Sequence, residues 1–200
     1  MVLLAAATLV ACGSVASAGV TATHSNNPSI VTTTTTAGES VTAPVATTTV
    51  PLDGFQFSPP AGDYSIVFPA EPTANEQVAK LPDGSSLPFT FYVTGTADSA
   101  FGTSAFVYPQ GMVASLEGAR DGALAKISAT LTWSEPITLQ GRDGLQFTGS
   151  VGDGQGTVLS RVYADDASLY ELIVIMTGVV ALDDPRVSAF FDSFRFTVDG

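Results

Sequence analysis

Ser168-Leu169-Tyr170-Glu171-Leu172-Ile173-Val174-Ile175-Met176-Thr177 is the stretch on which the fold turns. Leu172 to Met176 is the most apolar strand-like run in the chain, and its β-branched residues favour extended backbone. A membrane span is the rival reading. The apolar run is about twelve residues, short of the roughly twenty a spanning helix needs, and Glu171 and Asp183 bracket it. A short continuous apolar run of this kind reads as a strand. The expectation is that it lies at the centre of a sheet.

Working outward, other segments alternate or cluster apolar residues between turn signals, as strands do. They are Tyr64 to Phe68, Glu76 to Leu81, Phe89 to Val93, Ala105 to Tyr108, Pro136 to Leu139, Gly144 to Val151 and Thr157 to Ala164. Pro82-Asp83-Gly84, Gly152-Asp153-Gly154-Gln155-Gly156 and Asp165-Asp166 supply the turns between them. Short loops of this sort imply an antiparallel meander.

Two helices interrupt the strands. Met112 to Ala129 places Met112, Leu116, Ala119, Ala123 and Ile127 on one helical face. Gly118 and Gly122 inside it cost about 1 kcal/mol each relative to alanine and fit close packing of helix on sheet. The second helix runs from Asp184 to Ser193, with Asp184 as N-cap and Pro185 as first residue. Val187, Phe190, Phe191 and Phe194 form its apolar stripe, and Arg195 to Val198 reads as a last strand. Helices covering an antiparallel sheet make an α+β sandwich, expected over residues 53–200.

The N-terminal part reads differently. Residues 1–11, Met-Val-Leu-Leu-Ala-Ala-Ala-Thr-Leu-Val-Ala, have the apolar, uncharged character of a signal-peptide core and are too short to span a bilayer as a helix. The positively charged opening of a signal peptide is missing, so translation is expected to begin upstream of Met1. Leu9-Val10-Ala11-Cys12 resembles the lipobox of bacterial lipoproteins. That resemblance implies lipid attachment at the Cys12 thiol and cleavage between Ala11 and Cys12, where only small side chains fit. It also implies a cell-membrane location on the extracytoplasmic side, with the membrane engaged through the lipid alone. Residues 12–52 are rich in Thr, Ser, Ala, Val and Pro, with Glu39 their only formal charge and no aromatic residue. Such a segment cannot offset its ordering entropy by burial. It reads as a tether, with Thr-rich runs open to O-glycosylation. His24, the one histidine, falls in it.

Composition limits the chemistry. The chain has 19 acidic and 7 basic residues, a net charge of −12. All seven basic residues and every acid but Glu39 lie in 53–200, which carries −11. That balance repels nucleic acid and anionic lipid headgroups. Residues 53–200 contain no Cys and no His, so neither a Ser-His-Asp triad, a Cys nucleophile nor an ordinary His/Cys metal site can be built from them. Gly152 to Gly156 lacks the lysine and the strand-to-helix context of a phosphate loop and reads as a hairpin turn. Asp165-Asp166 and Asp183-Asp184 are the remaining carboxylate pairs, open to cation or acid/base work but placed where turns and caps use aspartate. Neither has the spacing of a calcium loop, so no metal and no cofactor is expected. Trp133 and the aromatics Phe89, Phe91, Tyr92, Phe106 and Tyr108 are candidates for lining a pocket between sheet and helices, with core packing the plainer role.

Within 55–198, several runs carry a further resemblance. They are Asp63 to Pro69 with Pro72, Leu116 to Gly122, Pro136 to Gly141 with Gly144, Arg161-Val162-Tyr163, Leu169 to Leu172 and Phe190 to Phe194. Together they resemble the PsbP-like family of sandwiches, its secreted bacterial lipoprotein members above all. That resemblance implies a non-enzymatic accessory or binding domain, with no catalytic set to carry over. The expectation is a lipid-anchored, non-catalytic binding protein for an envelope protein or an apolar ligand. The alternatives are a carboxylate-dependent cell-envelope hydrolase and a structural spacer.

Overall fold

In the computed structural model the described residues are 54–81, 84–165 and 167–197. The lipobox, the tether, His24, Pro82-Asp83, Asp166 and Val198 lie outside them. Ten strands and two helices follow in chain order: β1 (Phe55–Phe57), β2 (Tyr64–Phe68), β3 (Thr73–Lys80), β4 (Ser86–Gly95), β5 (Ser99–Val107), α1 (Leu116–Lys126), β6 (Ala129–Leu139), β7 (Arg142–Val151), β8 (Gly156–Ala164), β9 (Ser168–Thr177), α2 (Pro185–Ser193) and β10 (Arg195–Phe196). This is an α+β fold.

Seven strands form one antiparallel sheet in the order β3-β4-β5-β9-β8-β7-β6. The apolar run at Leu172–Met176 is in its fourth and central strand, as its composition requires. The sheet is not one continuous meander. β3-β4-β5 and β6-β7-β8-β9 are two runs of hairpins, joined where β5 pairs with β9 from Ser99↔Met176 to Val107↔Ser168. The connection through α1 carries the chain to the far edge of the sheet, so β6 does not lie beside β5. A second, three-stranded sheet has the order β1-β2-β10; β1 carries too short a pattern to stand out in the sequence.

β9 is apolar from Leu172 to Met176 because the sheet is covered on both faces. Leu169 and Ile173 join a core with Phe89, Phe91, Phe106, Leu145, Phe147 and α1's Ala119, Ala123 and Leu124. Tyr170, Leu172, Val174 and Met176 join the opposite core with Tyr64, Ile66 and Phe68 of β2 and Val187, Phe190 and Phe191 of α2. The aromatic set is therefore split by strand alternation. Phe89, Phe91, Phe106 and Tyr108 are buried on the α1 side, whereas Tyr92 packs against Phe57 on the other, ring centroids 4.6 Å apart.

The first helix is shorter than its apolar period predicts. It starts after Ser115, whose φ −108° and ψ 118° are extended and whose hydroxyl accepts from the Gly118 N–H. It ends before Ser128, at φ 53°. Met112 and Ile127 still pack on the α1 core from outside the helix, so the face was read correctly while both ends overran. Trp133 sits in β6, 38% exposed. β6 itself reaches back to Ala129; Ala129, Leu131 and Trp133 alternate with Thr130 and Thr132, a strand period masked by reading the helix through to Ala129. The second helix is capped as predicted: Asp184 accepts from the Arg186 N–H at 2.9 Å.

Candidate functional site

The turn between β4 and β5, Thr96-Ala97-Asp98, is held from three sides. The Thr96 N–H donates to the Ser99 carbonyl at 2.8 Å, and the Thr177 N–H, at the end of β9, donates to the Asp98 carbonyl at 2.9 Å. Gly95 makes the close approach possible: an added Cβ would stand 2.5 Å from the Ser99 carbonyl oxygen. The Thr96 hydroxyl donates to Asp98 Oδ1, and Ser99 Oγ donates to the same atom at 3.4 Å.

This turn forms one lip of a groove of about 340 Å³. Phe101 forms its floor and is itself buried, packed edge-on against Phe190 with centroids 5.4 Å apart. Pro69 and Ala70, which follow β2, Thr94 and Gly95, at the end of β4, and Arg186, in the first turn of α2, complete its lining. The walls are mainly apolar, with a carboxylate and a guanidinium at the rim. Hydrogen bonding from Thr96, with smaller contributions from Ser99 and the charge of Arg186, holds the Asp98 carboxyl below the usual carboxylate range. A carboxylate made less basic in this way is a poor general base. The Thr96 and Ser99 hydroxyls are turned toward it, with no imidazole among the described residues to activate them. The arrangement suits binding: an apolar body against Phe101 and Pro69, a donor to Asp98 and an acceptor to Arg186.

The chain matches no protein-family model, and a search of the curated proteins returns no match.

Of the sequence-predicted carboxylates, Asp184 reaches this groove through Arg186, whereas Asp165 does not line it. Asp165 accepts from the Ala167 and Ser168 N–H groups and pairs with Arg142 at 3.5 Å. Asp184 is the cap of α2 and pairs with Arg186 at 2.9 Å; Asp183 beside it is exposed. Among the described residues no cluster of three or more His, Cys, Asp or Glu side chains could hold a metal ion, and no helix is long and apolar enough to cross a membrane. Asp98, Thr96 and Ser99 escaped the sequence reading. Their signal was the compact turn run Gly95-Thr96-Ala97-Asp98-Ser99, but nothing local links it to Arg186, which lies ninety residues on.

A second polar spot lies inside the sheet. Glu171 of β9 is 1% exposed and faces the α1 core opposite Ser104 of β5. Both its carboxyl oxygens and the Ser104 hydroxyl are buried with no hydrogen-bond partner. Burial pushes the carboxyl up to about 7. Its acidity would suit proton transfer near neutrality, yet the groove opens on the other face of the sheet, beside Phe101, so the two spots are separate. Glu171 was read in the sequence as the charged flank of the apolar run, not as a member of it.

Proposed function

We propose that the chain is an exported lipoprotein, anchored through Cys12 on the extracytoplasmic side of a membrane, whose 53–200 domain is a PsbP-like, non-catalytic binding module. The observation that carries the binding role is the groove over Phe101, apolar in its walls and charged at its rim by Asp98 and Arg186. A small amphipathic ligand, or one apolar side chain of an envelope protein with its flanking polar groups, has the matching chemistry. The absence of His and Cys from 53–200 supports a binding role over nucleophilic catalysis. The hydrolase alternative draws no support from the paired aspartates, since Asp165 and Asp184 are spent on a turn and a cap. The anchor rests on Leu9-Val10-Ala11-Cys12 and the PsbP-like assignment on the runs in 63–72, 116–122, 136–144, 161–172 and 190–194.

Two measurements test the two halves of this reading. Cells given a palmitate analogue should label the wild-type chain and not Cys12→Ala; equal labelling of both removes the anchor. A photo-crosslinking side chain placed at Ala70, on the groove wall, should then capture a ligand or partner in cells, while the same group at exposed Val113 should not. Capture at both positions alike, or at neither, defeats the groove as the binding site.

A further inference from the structure

The two charges at the rim of the groove over Phe101 are not equally available. Arg186 is already engaged. Its Nε donates to Asp184 Oδ1 at 3.1 Å and its Nη2 donates to Asp184 Oδ2 at 2.9 Å. This bidentate pair takes up one whole edge of the guanidinium fork, the edge a carboxylate ligand would grip, and offsets its charge. Among the described residues that line the groove, Arg186 is the one basic residue.

Asp98 is braced but not neutralised. The Thr96 and Ser99 hydroxyls both donate to its Oδ1, and those hydroxyls stand 2.9 Å from each other. Oδ2 has no side-chain partner among the described residues. The turn is fixed by the Thr96 and Thr177 N–H bonds, so the carboxylate is in place before any ligand arrives. The same hydroxyls favour its ionised form. With Asp184 set against Arg186, the charge of Asp98 is what remains at the rim. Residues 53–200 as a whole carry −11, so the field around the groove has the same sign and draws cations toward it.

We propose that the groove takes an organic cation, with an ammonium group on Asp98 Oδ2 and an apolar body against Phe101 and Pro69. This rests on the reading of the groove as a binding site and narrows its ligand. An ammonium has donors and no acceptor, so it uses the lone pairs left on Oδ2 and asks nothing of Arg186. An anion would have to displace Asp184 from the guanidinium and approach a domain of its own sign. A neutral hydroxyl can donate to Oδ2 but gains nothing from the field. A bare metal ion needs a cage of oxygen ligands, and among the described residues no cluster of three or more His, Cys, Asp or Glu side chains could hold one. The volume of about 340 Å³ is at the lower end of small-molecule sites, which suits one ring or a short alkyl chain. Asp98 is exposed, so water and salt screen the pair and its strength is modest. Selectivity for charge, not tight affinity, is the signature of such a site.

The test is an NMR titration of the isotope-labelled full chain carrying Cys12→Ser with probes that share one body and differ in charge: phenethylammonium, phenethyl alcohol and hydrocinnamate. The amides of Ala70 and Thr96 report on the groove. Phenethylammonium should shift them at the lowest concentration, the alcohol should need about fivefold more, and hydrocinnamate should act least. Asp98→Asn keeps the shape and an acceptor for the hydroxyls, and should weaken the ammonium about fivefold, to the level of the alcohol. Asp121→Asn removes a charge from the exposed side of α1 and should leave the order of the probes unchanged. An ammonium bound no more tightly than the alcohol, or hydrocinnamate bound most tightly, overturns the cation and leaves the groove a binding site. An ammonium affinity that Asp98→Asn does not lower, or that Asp121→Asn lowers as much, does the same. No shift at either amide with any probe overturns the cation and the groove reading together.

Discussion

Glu171 is where the physical chemistry of a single residue is most exposed to test. A carboxyl 1% exposed, with neither oxygen hydrogen-bonded and no charged group contributing to its shift, is held protonated by desolvation. Its folded-state value of about 7 stands above the ordinary 4.5. The unfolded chain therefore releases this proton at lower pH than the folded one. Stability from this group is fully present below pH 4.5, falls as pH rises toward 7, and levels off above it. The difference amounts to roughly 3 kcal/mol. Glu171→Gln keeps the shape and removes the titration. Denaturant midpoints measured between pH 4.5 and 8 should slope downward for the wild type and more gently for the variant, with the variant the more stable at pH 8. Parallel profiles would mean that the carboxyl finds a partner or water in solution. A strand apolar on both sides of Glu171 already implies that the glutamate is inside, since alternation puts it on the face of Leu169 and Ile173; its position at the margin of the Leu172–Met176 run made it look like a boundary instead.

Helix boundaries show at the next scale what periodicity can and cannot resolve. The i, i+3, i+4 spacing from Met112 to Ile127 identified the buried face, because Met112, Leu116, Ala119, Ala123 and Ile127 all reach the same core. Spacing carries no information on backbone conformation at the ends, which is decided by Gly111 at φ 88°, the extended Ser115 and Ser128 at φ 53°. Ser115 followed by Glu117 and a buried Gly118 is a legible start, overshadowed by the apolar residue three positions before it. The two boundaries make opposite predictions. As N-cap, Ser115 satisfies the Gly118 N–H at 3.0 Å, and Ser115→Ala should cost about 1 kcal/mol. Within a helix beginning at Met112, the same change would replace serine by a better helix former and be neutral or stabilising. Equilibrium urea unfolding of the variant decides between them. The groove is beyond reach at this scale for a different reason: its rim joins a β-turn at Asp98 to a helix start at Arg186, and no local pattern connects them.

At the scale of the whole molecule, the apolar run of β9 announced a central strand, and the structure adds that the sheet is covered on both faces. What the sequence could not announce is which strand stands on its other side. β5 and β9 pair at separations such as Ser99↔Met176, with a helix and three strands between, and hairpin-length loops account only for the β3–β5 and β6–β9 halves. The seam between those halves is thus the least local contact in the seven-stranded sheet and the last within it to be repaid for its loop closure. Position in the sheet also orders local stability. β9 has a strand on each side and a buried cluster on each face, so its amides open only with the entire domain. Residues 130–135 of β6 lie on an edge, beside a register break, with mostly exposed side chains. Hydrogen exchange followed by mass spectrometry should show 169–176 exchanging last and 130–135 among the first. Protection in 130–135 equal to that in 169–176 would mean that the β6 edge is covered and that the sheet does not end there.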